Sequence, residues 1–245
     1  MDRIWIEGSS GRRQFLDRLT LSYFPEHAEI SLSYEKAMRE RNRLLKEKIY
    51  NDHWYNALEI EMAKSAVLIQ KARLEAIKYL SEAQNNLTGK FPKAELLLVD
   101  PDQIITEEEE AIQVLKGSRS SDMMMGRTGV GPHKSDLQAI YEDKLTLAKD
   151  CSTGEQKAIL ISIILANAKS LAKINDISPI VLLDEVSAHL DKDRQAALYD
   201  EICELGVQAW MTGTGPELFS ELKNKAQFIE VLTIDGISEL SISNK

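Results

Sequence analysis

The chain has 245 residues, of which 43% are hydrophobic and 28% charged, with a formal net charge of −9. That length supplies a sizeable core in one large domain or two lobes. The composition excludes a disordered chain, and the acidic balance excludes a surface coated with Lys and Arg for nucleic-acid phosphates.

The first residues, which include Asp2 and Arg3, lack the order of a signal peptide, so the protein is expected to be cytoplasmic. Residues 11–87 carry helical periodicity, with Pro25 separating two helices. Within residues 54–80, Leu58, Met62, Ser65, Ile69, Ala72, Ala76 and Leu80 fall near one stripe, as in a long helix packed along its length. Residues 35–48 hold Lys36, Arg39, Arg41, Arg43, Lys46 and Lys48 against three glutamates; a helix so charged is ordinarily a solvated face. Asn85-Asn86 and Thr88-Gly89 signal a stop and Pro92 delays a restart, which sets a lobe boundary near residue 90.

Residues 95–100 read as a short strand, and Thr106 as the cap of a helix whose first turn, residues 107–110, is all glutamate and favourable at a positive helix end. Residues 118–132, rich in Ser and Gly and with three consecutive methionines, read as a mobile connection. Strands follow at residues 137–141 and 145–148, then a helix over 155–173, a buried strand over 180–183 and a helix after Asp191. A strand over 207–212, a helix near 217–222 and a strand over 228–234 complete an α/β alternation without internal repeats. The longest apolar run, residues 158–168, is broken by Ser162 and Asn167 and falls short of the ~20 residues that span a bilayer, so no membrane partner is expected. Cys151 and Cys203 have no metal-ligand spacing and are expected to remain thiols.

Residues 180–183 end in Asp184-Glu185, acids at the carboxyl end of an apolar strand, which is where α/β sheets bind ligands. In a nucleotide hydrolase the first acid holds Mg²⁺ directly or through water, and the second orients and deprotonates the attacking water. Upstream, Cys151-Ser152-Thr153-Gly154-Glu155-Gln156-Lys157 opens the apolar helix. Ser152 is suited to a phosphate oxygen, Gly154 admits close backbone approach, and free N–H groups at a helix start favour an anion. Each element alone has a plain structural explanation, a core strand or a helix cap. Their pairing points to a nucleotide.

The order Ser-x-Gly-Glu-Gln, helix, apolar strand, Asp-Glu and then Ser187-Ala188-His189-Leu190-Asp191 resembles the signature motif, Walker B strand and D-loop of ABC/SMC-type ATPase heads. Arg12-Arg13-Gln14-Phe15-Leu16-Asp17, Arg41-Asn42-Arg43-Leu44-Leu45-Lys46 and Gly131-Pro132-His133-Lys134-Ser135-Asp136 resemble segments of the RecF family, and Thr212-Gly213-Thr214 fits that family's last core strand. The resemblance spans nearly the whole chain. It implies an α/β fold, an incomplete ABC/SMC-type ATPase head with a helical lobe: residues 1–10 a remnant of the head, 11–90 the helical lobe, and 91–245 the carboxy-terminal part of the head. It also implies an ATP-dependent homodimer that clamps double-stranded DNA near single-strand gaps and helps to load a recombinase through recombination mediator proteins. ATP and Mg²⁺ are the implied cofactors. In that scheme Ser152, Thr153, Gly154, Glu155, Gln156 and Asp191 meet ATP, with the Ser152 group reaching across the dimer interface. Asp184 serves the metal and Glu185 the water, and Arg12, Arg13, Arg39, Arg41 and Arg43 are candidate contacts to DNA phosphates.

Departures from the family pattern qualify the scheme. No Gly-x-x-x-x-Gly-Lys-Ser/Thr occurs; the nearest imitation, residues 129–135, has Pro132 in the loop and His133 before Lys134. In the family the P-loop strand precedes the Arg-Arg-x-Phe-Leu-Asp segment, so the chain is expected to be truncated at its amino terminus, with Met1 an internal start. Lys134 stands for the family's arginine and Ser135 for an acid, and Gly213 stands where ABC transporters have a histidine, which implies slow hydrolysis. The competing reading is a non-hydrolysing interaction fragment or split-gene subunit. An ABC transporter ATPase is disfavoured, because a long helical region precedes the signature.

Overall fold

The computed structural model describes residues 4–87, 91–175, 178–185, 190–222, 225–234 and 237–243. Helices α1 (Ser9–Tyr23), α2 (His27–Lys46) and α3 (Asp52–Asn85) come first. Pro25 separates α1 from α2, as expected of a residue without an N–H to continue a helix. The break between α2 and α3 carries no Pro or Gly signal. There Lys48 takes φ 53°, and the Asn51 side chain caps α3 by accepting from the Trp54 N–H at 3.1 Å. The stripe on α3 is as expected, with Met62, Ser65, Ile69, Ala76 and Leu80 buried.

After α3 come β1 (Ala94–Val99), α4 (Glu108–Gly117), α5 (Arg119–Met125), β2 (Asp136–Tyr141), β3 (Thr146–Leu147) and α6 (Thr153–Asn175). β1 and β2 are antiparallel, with Val99 opposite Asp136, and β3 adds to β2. The remainder is β4 (Val181–Leu183), α7 (Lys192–Leu205), β5 (Ala209–Met211) parallel to β4, a 3₁₀ segment at Pro216–Leu222, and the antiparallel hairpin of β6 (Phe228–Ile234) and β7 (Ile237–Ser243). Helix α6 is apolar on two sides and serves two cores. Ile159 and Ile163 join Phe15, Leu16, Leu80, Leu96 and Leu137 on the three-stranded sheet, whereas Ala158, Ile161 and Leu165 join Val181, Leu183, Leu198 and Ile202. Among the described residues no helix is long and apolar enough to cross a membrane.

Three local expectations change. Helix α4 starts one residue later than a Thr106 cap requires, because extended Glu107 supplies the first carbonyl, accepting from the Ala111 N–H at 3.0 Å. The connection expected to be mobile contains α5 and is pinned. The wholly buried Arg41 donates to Asp122 at 2.7 Å, to the Thr128 hydroxyl at 2.9 Å, to Glu59 at 3.2 Å and to the Leu115 carbonyl at 2.9 Å. The third change concerns β4, which was expected to be buried on both faces. It lies in a two-stranded sheet, and Leu182 is 73% exposed. Beyond residue 90, Ala111 and Leu115 of α4 share a core with Tyr34, Met62 and Val67.

The segments that resemble the RecF family in α1 and before β2 meet in one polar network. Arg12 grips Asp136 with two bonds of 2.7 and 2.9 Å, and Arg13 donates to the Ser135 carbonyl at 2.9 Å. Arg73 holds Asp17 in the same two-pronged way and also donates to the Pro132 carbonyl at 2.8 Å. Gly131 lies at φ 125°, and a Cβ there would run into the Tyr34 hydroxyl oxygen, so a side chain at this turn is strained.

His133 Nε2 is 3.2 Å from the Thr128 carbonyl, which only accepts, so the ring carries its proton there and Nδ1 accepts from the Tyr34 hydroxyl at 2.8 Å. Burial pushes this imidazole down to about 4 from its ordinary 6.5. A folded-state value below the unfolded one means that the contribution to stability is complete above about pH 6.5 and is lost as pH falls toward 4. The ring resonances of His133 are therefore expected to titrate with a midpoint near 4. A midpoint at the ordinary value would contradict the buried neutral ring.

Candidate nucleotide-facing site

Helix α6 opens with a capping box. The Ser152 hydroxyl lies 3.4 Å from the Glu155 N–H, and the Glu155 carboxylate accepts from the Ser152 N–H at 3.0 Å and from its hydroxyl at 2.8 Å. Lys144, in the 3₁₀ turn after β2, reaches the same carboxylate at 2.5 Å, and Arg194 of α7 lies 3.9 Å from it. Lys144 first, and then the Ser152 donors, hold Glu155 down to about 2. Glu155, expected as an ATP contact, is thus turned into the protein and fixes the turn. Gln156 is turned inward as well. It is 3% exposed, and its side-chain amide donates to the Lys149 and Cys151 carbonyls at 3.2 and 3.0 Å.

Three of the expected residues remain on the open side: Ser152 and Thr153 are exposed and Gly154 is half-buried. The N–H groups of Thr153 and Gly154 belong to the first turn of α6, where a helix offers no carbonyl partner of its own, whereas the Ser152 N–H is taken by Glu155. Asp191 caps α7, accepting from the Arg194 N–H at 2.9 Å, and the Arg194 guanidinium returns to within 3.6 Å of the same carboxylate. Arg194 therefore stands between Asp191 and Glu155, joining the start of α7 to the start of α6. Sequence reasoning missed this residue and Lys144. The spacing of Arg194 from Asp191 was a legible signal, whereas Lys144 arrives through the sheet and left none. The D-loop positions Ser187, Ala188 and His189 lie outside the described residues.

Asp184 and Glu185 are exposed at the carboxyl end of β4. Thr212, just beyond β5, ties them down: its hydroxyl donates to Asp184 at 2.6 Å and accepts from the Glu185 N–H at 3.0 Å, while its own N–H donates to the Leu183 carbonyl at 3.1 Å. Glu185 sits at φ 49°, a left-handed conformation that this threonine supports. At Gly213 a Cβ would lie 2.8 Å from the Phe219 ring, so no side chain fits without displacing it. Among the described residues no three His, Cys, Asp or Glu side chains form a metal cluster. The acid pair nonetheless suits Mg²⁺, which is bound through one or two carboxylates together with substrate phosphates and water.

The arginines offered as DNA contacts separate into two kinds. Arg41 is removed from that set, because it is wholly buried among its ion-pair partners. Arg12 and Arg13 are half-buried and committed to Asp136 and Ser135. Arg39 and Arg43 are exposed on α2, the latter 2.8 Å from Glu40 and 5.8 Å from the centre of the Trp54 ring.

No family model matches the sequence. Among curated proteins, the DNA replication and repair protein RecF of Mesorhizobium japonicum is 43% identical over 240 residues, covering 94% of this chain and 63% of that protein. RecF of Rickettsia akari is 40% identical over 237 residues, covering 94% and 66%. The solved structure of the recombination mediator protein RecF with ATP, from the RecFOR pathway, matches with a TM-score of 0.78 at 22% identity, over 98% of this chain and 65% of that one. The Smc head domain of Pyrococcus furiosus, solved with an extended coiled coil and the C-terminal domain of ScpA, gives a TM-score of 0.51 at 16% identity over 98% of this chain and 59% of that one. At these identities the structural likeness is one of fold. The chain spans less than two thirds of the length of the curated relatives it matches. On its identity to them along almost all of its own length, the chain belongs to the RecF family, as part of such a protein.

Proposed function

We propose that this chain is the signature-bearing part of an ATP-dependent DNA clamp of repair and recombination, working in the cytoplasm once a P-loop-bearing segment completes the head. The observation that supports this most is the turn at Ser152. It is held from behind by Glu155, Lys144 and Gln156, and it leaves Ser152, Thr153 and Gly154 outward at a helix start. The first-turn N–H groups of Thr153 and Gly154 suit a phosphate, and this sequence has no Gly-x-x-x-x-Gly-Lys-Ser/Thr loop to present one in cis. The turn is therefore assigned to the γ-phosphate of ATP held by a second subunit, with Asp191 beside it, so that nucleotide joins two heads. When bound, ATP would supply a γ-phosphoryl group that passes to water as ADP leaves; Asp184 would hold the Mg²⁺ and Glu185 would orient the water. Arg39 and Arg43, with Lys36, Lys46 and Lys48 nearby on the sequence, are the remaining basic residues for the backbone of double-stranded DNA near single-strand gaps. Recombination mediator proteins are the proposed partners in loading a recombinase.

The test is Ser152→Arg in the completed protein, which crowds the turn without touching a P-loop. Mg·ATP binding by calorimetry is expected to be unchanged, while dimerisation with a slowly hydrolysed ATP analogue, read by sedimentation, is expected to vanish. The chain alone is expected to bind Mg·ATP negligibly. Normal dimerisation of the variant would reduce the turn to a helix cap. The second reading, an interaction fragment that never hydrolyses ATP, rests on the absence of a P-loop motif, and failure of the completed protein to bind Mg·ATP would favour it.

A further inference from the structure

One charged side chain beside the candidate site has no role in the scheme above. Arg194 is mostly buried, its side chain 24% exposed, and it stands where the starts of α6 and α7 meet. Its guanidinium lies 3.9 Å from the Glu155 carboxylate and 3.6 Å from that of Asp191, within ionic reach of both but too far for a hydrogen bond to either. Lys144 is the second cation on Glu155. Its side chain is 56% exposed, so water and salt screen its charge more than that of Arg194. Glu155 itself is buried. The pair of cations thus faces the pair of acids at the point where both helices begin.

Electrostatics gives this cation a purpose. A phosphate bonded by the Thr153 and Gly154 N–H groups lies next to Ser152, whose N–H and hydroxyl donate to the Glu155 carboxylate at 3.0 and 2.8 Å. It is therefore within about 10 Å of Glu155, the range over which charges act at ordinary ionic strength. An uncompensated carboxylate there repels a γ-phosphate, and a second one at Asp191 adds to the repulsion. We propose that Arg194 is a positioning residue: it neutralises Glu155 and Asp191 together, and so holds the two helix starts as one unit that accepts the charge of the γ-phosphate. Because it hydrogen-bonds neither acid, its charge carries the role, and the shape of the guanidinium does not. Glu155 then has two opposed effects, fixing the turn through its hydrogen bonds and opposing the phosphate through its charge. This deepens the reading of the Ser152 turn as facing a γ-phosphate, and it rests on that reading.

The test uses the completed protein with a slowly hydrolysed ATP analogue, and reads dimerisation by sedimentation at low and high salt. Arg194→Gln is expected to raise the analogue concentration for half-dimerisation about tenfold, the effect of one unit charge several ångströms away near a protein surface. High salt should remove most of that difference. Arg194→Lys keeps the charge and should stay close to the parent. Glu155→Gln keeps an acceptor for the Ser152 N–H, since glutamine also closes a capping box, and it should therefore tighten dimerisation. Combined with Arg194→Gln, it should return the midpoint to the parent value. A purely structural strut predicts the opposite: Glu155→Gln never tightens, and the double variant is worse than either single one. If Arg194→Gln fails to fold, the sign of the Glu155→Gln effect decides alone. An Arg194→Gln protein that dimerises like the parent, or a Glu155→Gln protein that dimerises less well, would overturn the proposal while leaving the γ-phosphate reading in place. A parent that does not dimerise with the analogue overturns that reading and this proposal with it.

Discussion

Replacing Arg41 by methionine is expected to destabilise the chain by about 3–5 kcal/mol, the cost of breaking a buried ion pair from one side. The guanidinium is wholly buried and joins α2 to Glu59 of α3, Leu115 of α4, Asp122 of α5 and Thr128 beyond it. The two carboxylates fare differently. Glu59 keeps Arg119, which holds it at 2.6 and 2.9 Å. Asp122 keeps only the Ser118 hydroxyl and the Gly129 N–H, neither of them a cation. Most of the loss therefore arises at Asp122, and adding Asp122→Asn to Arg41→Met should restore part of it. Thermal unfolding is the measurement, with a fall of roughly 10 °C expected for a chain of this size. A melting temperature within a degree of the parent would mean that the network contributes nothing net.

In the completed head, Glu185→Gln is expected to slow ATP hydrolysis by about 10²- to 10⁴-fold, the usual effect of losing a general base, while ATP binding is retained. Asp184→Asn is expected instead to weaken Mg²⁺-dependent ATP binding. The two acids are tethered differently. Asp184 is anchored through one oxygen to Thr212, whereas Glu185 is fixed by its backbone N–H, and both carboxylates are exposed at the strand end. Binding isotherms with and without Mg²⁺, set beside single-turnover rates, distinguish the variants. Equal losses of binding in both would refute the division of labour.

Much of the fold was legible because its signals are local. Pro25 broke the first helices, the apolar spacing on α3 matched its buried stripe, and Asp184-Glu185 fell at the end of a strand as the preceding apolar run implied. Longer-range physics was not legible. Arg41 and Arg43 look alike in a charge-rich helix, yet one is wholly buried and the other exposed. The difference is made by Asp122 and Thr128, far along the chain, and no periodicity within α2 announces them. Serine and glycine content suggested mobility in a segment that this same arginine pins. At the candidate site, Ser152 is exposed and Gly154 half-buried. Glu155 and Gln156 turn inward, and a short motif does not reveal which of its side chains hold the others in that way.

Helix α6 has 23 residues and therefore rises about 34 Å. It is wedged between two cores, with the Ser152 turn at its tip. A tilt of roughly 5° about its far end swings that tip by about 3 Å, the full span of a hydrogen bond. The apolar residues that seat α6 beside β4 and on the three-stranded sheet therefore fix the position of the Ser152 turn through the length of the helix.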